Sequence, residues 1–228
     1  MRFRVLAVLT LSAVSPSLVS AGTIRPWLAA YGSPATYSMS DVNSDISNIN
    51  ASLAGSGLKM DEIHSGLGFG GSFGLELPSH FSIGIGYDRM PASSEVSDAS
   101  GSLKYDFPAN AFRVIGQYSF ASVGASGAHL GGALGLVSVA GSSTATASGS
   151  GSTKSDITGS GALFELGAGG DWWTTSQFAL TSSVGYRYAK INETKVNGST
   201  AYLANGEKAG IDYSGVVGRV GIKFALMK

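Results

Sequence analysis

The 228-residue sequence contains no cysteine, little charge and no long apolar run. Without cysteines, the fold cannot be held by disulfides and must rely on backbone hydrogen bonds and packing. Only 13% of the residues are charged, with 15 basic and 15 acidic side chains, so the chain lacks the basic excess of a nucleic-acid-binding protein. The apolar stretch from Val5 to Val14 is about half as long as a membrane-spanning helix, which needs roughly 20 residues.

The N-terminus instead has the composition of a cleavable export signal. Arg2 and Arg4 precede the apolar stretch, and residues 19–21 (Val-Ser-Ala) supply the small side chains of a cleavage site. The pattern predicts a signal peptide over residues 1–21 and one mature domain over residues 22–228, with a retained N-terminal anchor as the alternative. Export would remove two arginines and no acid, so the mature chain would carry two acidic residues in excess.

What the sequence has in abundance is an alternation of apolar residues with polar or small ones. This period of two is typical of β-strands with two different faces, and it recurs about eight times. The first segment, around Thr23 to Tyr31, is the least clear, because Pro26 interrupts its ladder in a way that suits a strand start. The apolar face of the other seven segments comprises Leu67, Phe69, Phe73, Leu75 and Leu77; Phe81, Ile83, Ile85 and Tyr87; Phe112, Val114, Tyr118 and Phe120; Leu130, Leu134 and Leu136; Phe164, Leu166, Ala168 and Trp172; Phe178, Leu180, Val184, Tyr186 and Tyr188; and Val216, Val220, Ile222, Phe224 and Leu226.

Such alternation fits either a soluble β-sandwich or a membrane β-barrel, and the connections favour the barrel. Long links, at roughly 33–63, 91–104, 141–160 and 191–211, alternate with short ones near 78–80, 121–127 and 174–177. Bacterial outer-membrane barrels have long outer loops and short periplasmic turns, whereas a sandwich has no reason to keep this rhythm. The sequence therefore predicts an all-β, roughly eight-stranded, antiparallel, up-and-down transmembrane β-barrel.

Aromatic residues cluster towards the predicted strand ends, where the interfacial girdles of a membrane barrel belong. Ordinary cross-strand packing would scatter them more evenly along the strands. The aromatics assigned to the girdles are Trp27, Tyr31, Tyr87, Tyr118, Phe120, Trp172, Trp173, Phe178, Tyr186 and Tyr188.

Eight charged residues share the polar face of the strands with glycine and serine. The interior of an eight-stranded barrel is only wide enough for side chains, and an unpaired buried charge costs several kcal/mol. The pattern therefore predicts a lumen filled by a network of paired charges, with glycines leaving room for the long side chains. The predicted network comprises Glu76, Asp88, Arg113, Glu165, Asp171, Arg187, Arg219 and Lys223.

The C-terminal strand resembles the assembly signal of outer-membrane proteins, in which a glycine precedes alternating hydrophobic residues at the end of the last strand. Gly221, Phe224 and Leu226 carry this resemblance, although the chain ends in Met227-Lys228 rather than in an aromatic residue. Together with residues 169–172 (Gly-Gly-Asp-Trp) and 185–188 (Gly-Tyr-Arg-Tyr), the mature chain resembles the small bacterial outer-membrane barrel superfamily, which includes OmpX-like, OmpA-barrel-like, OmpW-like and porin-like proteins. The resemblance implies an integral outer-membrane protein that is exported through the periplasm and inserted by the barrel-assembly machinery.

The first long link contains apolar residues at helical spacing among Ser, Asp and Asn. They predict an amphipathic helix of about four turns in the first outer loop, with Ser38 or Ser40 available as N-cap. The helix would either pack its apolar stripe onto the barrel rim or act as a lid or plug over the lumen. Its apolar stripe comprises Met39, Val42, Ile46, Ile49 and Leu53.

The last two long links differ in composition. Residues 141–161 are nearly all Gly, Ser, Thr and Ala, which predicts a flexible tract or, alternatively, strand extensions beyond the membrane. The fourth link contains Asn197-Gly198 and Asn205-Gly206, both strong turn signals, and predicts a protruding hairpin.

Motifs for catalysis or cofactor binding are weak in this sequence. The glycine spacing over 66–71 (Gly-x-Gly-x-x-Gly) lies inside an alternating strand, which is the wrong context for a nucleotide site. His64, His80 and His129 are too dispersed to predict a metal site. His129 is followed on its own face by Gly131 rather than by a serine nucleophile, so no catalytic residue, cofactor or metal is predicted.

Three function classes remain for such a chain. The first is a non-enzymatic structural or surface-interaction barrel, and the predicted charge-filled lumen favours it. The second is a narrow porin-like channel or carrier for small or hydrophobic solutes, and the third is a lipid-modifying or proteolytic barrel. The expected surroundings are outer-membrane lipid and lipopolysaccharide, with the chain as a monomer and no nucleic-acid partner.

Overall fold

The structure is a computed structural model that describes residues 24–123, 126–149, 151–203 and 205–226. The predicted signal peptide, residues 1–21, lies outside these ranges, as does the centre of the second short turn, 124–125. Among the described residues, no helix is both long and apolar enough to span a membrane.

The described chain is almost entirely antiparallel β-sheet, with one helix after the first strand. The single helix, α1, spans Ser40–Leu53. The strands are β1 (Arg25–Thr36), β2 (Ser65–Glu76), β3 (Phe81–Met90), β4 (Ser93–Asp98), β5 (Gly101–Asp106), β6 (Ala109–Val123), β7 (Ser126–Ala147), β8 (Gly151–Trp173), β9 (Phe178–Ile191), β10 (Thr194–Val196), β11 (Ser199–Thr200), β12 (Ile211–Asp212) and β13 (Gly215–Ala225).

Eight of these strands form a closed ring. The order around the ring is β1, β2, β3, β6, β7, β8, β9 and β13, and each neighbouring pair is antiparallel. The last strand pairs with the first, from Trp27 opposite Ala225 to Ala35 opposite Val217, so the ring has no free edge. The predicted eight-stranded antiparallel barrel is confirmed.

On the outer side of the barrel, β7 and β8 continue well beyond their neighbours. They remain paired from Gly141 opposite Ile157 up to Ala147 opposite Gly151, and the β4–β5 hairpin and β10 extend this sheet on either side. The interpretation of 141–161 as a flexible tract is therefore wrong, and the alternative of strand extensions is correct. Continuous pairing of the two strands satisfies their backbone hydrogen bonds, and threonine, which recurs at 144, 146, 153 and 158, favours an extended backbone.

The fourth outer link, residues 192–214, contains the short hairpin β10–β11. Its turn is formed by Asn197 and Gly198, both with positive φ (50° and 84°), which is the geometry that an Asn-Gly turn favours. Glu193 and Lys208 form an ion pair within the same link.

The loop helix starts at a different cap from the one expected. Its N-cap is Met39, which has a left-handed backbone (φ 47°) and makes no side-chain capping bond, so the assignment of Ser38 or Ser40 as the cap is wrong. The backbone at the helix entry is instead fixed by Ser38 and Met39, whose N–H groups donate to the carbonyl oxygens of Ser214 and Asp212. The entry position is thus set by contacts with the fourth outer link and by burial of the Met39 side chain.

Candidate functional site

The faces of the ring strands are inverted relative to a soluble protein. Large apolar side chains on the predicted apolar face are exposed, with Leu67 at 70% and Val220 and Leu136 each at 68%, while Asp88 and Arg187 are 0% and 1% exposed. A soluble sandwich would bury the apolar face and expose the charges. A continuous exposed apolar band around a charge-filled interior is the pattern of a membrane-spanning barrel.

The exposed band carries aromatic pairs at two levels along the barrel axis. Near the periplasmic turns, the rings of Phe81 and Tyr118 lie 5.0 Å apart, and those of Phe178 and Phe224 lie 4.8 Å apart. Higher on the barrel, Tyr87 packs against Phe112 at 5.2 Å. The pairs near the turns mark the periplasmic girdle of the band.

At mid-height, the lumen is crossed by five charged side chains from five strands, which we term the ionic layer. Asp88 Oδ2 lies 2.8 Å from Arg113 Nε, 3.2 Å from Arg219 Nη2 and 3.8 Å from Arg187 Nη2. On the other side, both carboxylate oxygens of Glu165 are bound by Arg219, at 2.5 and 2.9 Å, in a bidentate pair. Arg187 and Arg113 approach the same Glu165 carboxylate at 3.5 and 3.6 Å, so each acid binds three guanidinium groups.

Neutral side chains complete the ionic layer. The Tyr31 hydroxyl accepts a hydrogen bond from Arg113 Nη2 at 2.7 Å, and the guanidinium of Arg219 lies 5.4 Å from the Tyr31 ring centroid. Gly70 lies beside this ring, because a Cβ there would lie 2.8 Å from Tyr31 Cε2, and Gly221 lies against the neighbouring strand, where a Cβ would lie 2.7 Å from Tyr31 Cα. The glycines therefore leave the room that the aromatic and guanidinium groups occupy.

Towards the periplasm lies a second polar level, the lower layer, built from Lys223, Asp171 and Trp27. Lys223 Nζ lies 2.7 Å from Asp171 Oδ2 and 4.9 Å from the Trp27 ring centroid. Asp171 and Lys223 are 8% and 5% exposed, so their charges are paired away from bulk water. His129 is also buried on the lumen side, between the two layers.

The outer end of the lumen is closed by an apolar cluster, which we term the plug. Helix α1 contributes Val42 and Ile46, and Met39 precedes it; both Ile46 and Met39 are fully buried. The helix is fastened to the chain that follows it, because the Asn43 side chain bonds the backbone of Ile63 through both its oxygen (2.8 Å) and its nitrogen (3.1 Å). The remaining plug side chains come from the strand ends and outer links and include Met60, Met90, Phe107, Val137, Leu163, Ile191, Ile211 and Tyr213.

The eight charges predicted to form one lumen network occupy three places. Asp88, Arg113, Glu165, Arg187 and Arg219 lie together in the ionic layer. Asp171 and Lys223 form their own pair in the lower layer. Glu76 belongs to neither: it lies at the periplasmic rim, 3.9 Å from Arg25.

The helix residues and the assembly-signal residues lie as follows. Ile49 and Leu53, the two remaining residues of the predicted helical stripe, are only partly buried at the end of α1. Gly221 faces Tyr31 in the lumen, whereas Phe224 and Leu226 lie on the lipid-facing side near the periplasmic end of β13.

Three aromatics assigned to the girdles from sequence face the lumen instead. Trp27 and Tyr31 are 3% and 9% exposed, and Trp173 lies 4.4 Å from the guanidinium of Arg25. The girdle assignment is wrong for these three residues. Sequence reasoning also missed Met90, whose sulfur contacts Arg187 Nη1. Within the described ranges, no three His, Asp or Glu side chains are placed so that they could hold a metal ion.

Closure, an exposed apolar band and a charge-filled lumen give this chain the fold of the small bacterial outer-membrane β-barrels. No family model matches the sequence, and neither does any curated protein. Among solved structures, it is similar to Neisserial surface protein A (17% identity, 88% of this chain and 95% of that chain, TM-score 0.47). It is also similar to Ail, the attachment invasion locus protein of Yersinia pestis, in complex with the heparin analogue sucrose octasulfate (12%, 89% and 99%, TM-score 0.49). A further similar structure is the outer membrane protein OprG from Pseudomonas aeruginosa (17%, 90% and 95%, TM-score 0.46).

Proposed function

We propose that this protein is a closed, non-enzymatic barrel of the outer membrane with a structural or surface-interaction role. The observation that carries the proposal is the filling of the lumen at three successive heights, by the plug, the ionic layer and the lower layer. An eight-stranded barrel is only wide enough for its own side chains, so each level leaves little cross-section for a solute.

The ionic layer is a barrier to the passage of ions. A hydrated ion could pass only if the bidentate pair between Arg219 and Glu165 or the contacts of Asp88 opened. Separating partners of a buried ion pair leaves uncompensated charge, which costs about 3–5 kcal/mol. Such a layer supports a role that does not depend on conduction.

The outward surface above the apolar band supports a role in surface contact. On β7 the lipid-facing positions change from Leu134 and Leu136 to Ser142 and Thr144, and the paired positions of β8 include Lys154 and Asp156. Polar and charged side chains at this height would meet lipid headgroups and the saccharides of lipopolysaccharide. We propose lipopolysaccharide as the immediate neighbour of this face.

The proposal on biogenesis is that residues 1–21 are removed on export and that the barrel-assembly machinery inserts the chain as a monomer. The lipid-facing placement of Phe224 and Leu226 at the end of the last strand supports recognition of that strand. N-terminal sequencing of the membrane-inserted protein would check cleavage, and a native mass measurement would check the monomer.

Single-channel recording of the purified, refolded protein in a planar bilayer tests the closed-lumen proposal. Heat-modifiable gel migration is the folding control, because a folded barrel migrates differently from its boiled form. We expect folded protein without steady conductance. A steady open level from folded protein would contradict the proposal and favour a channel.

A second candidate function is uptake of small or hydrophobic solutes, and one feature favours it. A groove of about 680 Å³ opens at the outer end, between α1 and the fourth outer link, and both apolar and acidic side chains line it, among them Val42, Phe107, Ile211, Asp41 and Asp45. If α1 gates a path from this groove, deletion of residues 39–53 would open the barrel. If the deletion variant conducts ions and the intact protein does not, the result would support solute uptake. If the deletion variant does not conduct, the result would contradict solute uptake.

A further inference from the structure

A small, partly open cavity lies between the ionic layer and the lower layer. Its volume is about 80 Å³, enough for several water molecules but too small for an organic solute. The side chains that matter for its chemistry are Arg113, Arg219, Lys223, Gln117, Ser72 and Thr181.

The lumen around this cavity carries unequal numbers of opposite charges. Its cations are Arg113, Arg187, Arg219 and Lys223, whereas its anions are only Asp88, Glu165 and Asp171. The remaining predicted acid, Glu76, is engaged with Arg25 at the rim. The described lumen side chains therefore hold one uncompensated positive charge.

This excess cannot be relieved by loss of a proton from a guanidinium, since arginine stays charged in proteins. An uncompensated charge held away from water costs several kcal/mol. In addition, the Nε of Arg219 is buried and has no hydrogen-bond partner in the described part of the chain. A water molecule in the cavity could accept a hydrogen bond, whereas a bound anion would also compensate the excess charge while Lys223 stays paired with Asp171.

We propose that the cavity binds one small monovalent anion, of the size of chloride or bromide. Arg219, Arg113 and Lys223 supply the positive potential, and hydroxyls such as Thr181 supply further donors. The volume excludes a large organic anion such as gluconate. The anion is thus a structural counter-ion of the closed lumen.

Chloride-35 NMR linewidths of the refolded full-length protein test this inference, with bromide as a competitor and gluconate as a non-binding reference at equal ionic strength. The informative variant is Gln117→Glu, which places a carboxylate at the cavity with almost no change in shape. The matched control is Gln177→Glu, which makes the same change on an exposed periplasmic turn. Heat-modifiable migration verifies folding of each variant.

We expect the protein to broaden the chloride signal and bromide, but not gluconate, to remove the broadening. The Gln117→Glu variant should weaken apparent halide affinity by at least about tenfold, equivalent to roughly 1.4 kcal/mol, while Gln177→Glu leaves it unchanged. No bromide-sensitive broadening, or equal broadening in both variants, would overturn the proposal. If the Gln117→Glu chain fails to fold, the anion series on the unmodified protein still overturns the proposal when bromide leaves the chloride linewidth unchanged.

Discussion

At its outer end the lumen is filled by apolar side chains that a loop helix brings in, whereas at mid-height it is filled by charged side chains that the strands themselves supply. The plug gains its stability from shape and burial, as the core of a soluble protein does. The ionic layer depends on matching each charge with partners at short distance. The two regions should therefore respond differently to the same kind of deletion.

The largest effect is expected from Asp88→Asn in the ionic layer. This change removes the carboxylate that three arginines approach and leaves Glu165 as their one acidic partner in the layer. Loss of one partner from a buried network should lower the free energy of unfolding by about 3–5 kcal/mol. Urea titration of the barrel folded in lipid or detergent measures this change in the free energy of unfolding.

The matched control is Asp98→Asn in the exposed β4–β5 turn, where the carboxylate accepts hydrogen bonds from Ser100 and Gly101. It should shift the unfolding midpoint far less. Equal shifts for the two variants would show that the ionic layer is not a distinct source of stability.

The plug should lose almost as much stability from a purely apolar deletion. Ile46 is fully buried, so Ile46→Ala should cost about 2–5 kcal/mol through lost burial and the cavity left behind. Ile49→Ala, three residues on and only partly buried, is the comparison on the same helix and should cost less. Urea midpoints of the two variants measure the difference, and equal shifts would contradict burial of Ile46 as the source of the stability.

Overpacking next to the ionic layer should give an intermediate loss. A Cβ at Gly70 would lie 2.3 Å from the Tyr87 carbonyl oxygen and 2.6 Å from Asp88 Oδ1. Gly70→Ala should therefore destabilise the barrel by about 1–3 kcal/mol. Gly116→Ala is the control, because its Cβ would meet nothing within 4 Å. Similar thermal shifts for both would contradict the assignment of Gly70 as a spacer.

The sequence largely predicted which side of each strand faces lipid and which faces the lumen. The residues that were placed on the wrong side were misplaced for a physical reason. Seven strands carry strong apolar–polar alternation, so the side that meets lipid follows from the pattern. In β1 the sequence from Leu28 to Ala30 offers little contrast, and Pro26 blurs the strand start. The sequence of β1 therefore does not show which of its side chains face the lumen and which face lipid. This is why the prediction placed Trp27 and Tyr31 on the wrong face.

The partners within the lumen were not predictable in the same way. Alternation assigns a charge to a face, but the height of each charge depends on the register between strands. Glu76 lies at the end of β2 and so reaches the rim, whereas Asp88 pairs in register with Ala111, close to Arg113. The sequence predicted that helix α1 would either pack on the barrel rim or close the lumen, and it could not decide between the two. The reason is that the other plug side chains come from strand ends and outer links far away in the sequence.

The smallest effect is expected at the exposed ion pair of the fourth outer link, outside both filled regions. The hydrogen bond from Lys208 and that from Thr200 (3.0 Å) lower the pKa of Glu193 below its usual value. Because the folded-state pKa is depressed, the contribution of this carboxylate is present above the usual pKa and is lost as the pH falls through the lowered one. Acidification should therefore lower the hydrogen-exchange protection factors of residues 192–203, measured relative to the intrinsic exchange rate at each pH, while the barrel strands stay protected. Lys208→Gln should raise the Glu193 pKa towards its usual value in an NMR titration and leave the unfolding midpoint unchanged, as expected for an exposed pair. A midpoint shift as large as that of Asp88→Asn would mean that the outer link stabilises the barrel as strongly as the ionic layer does.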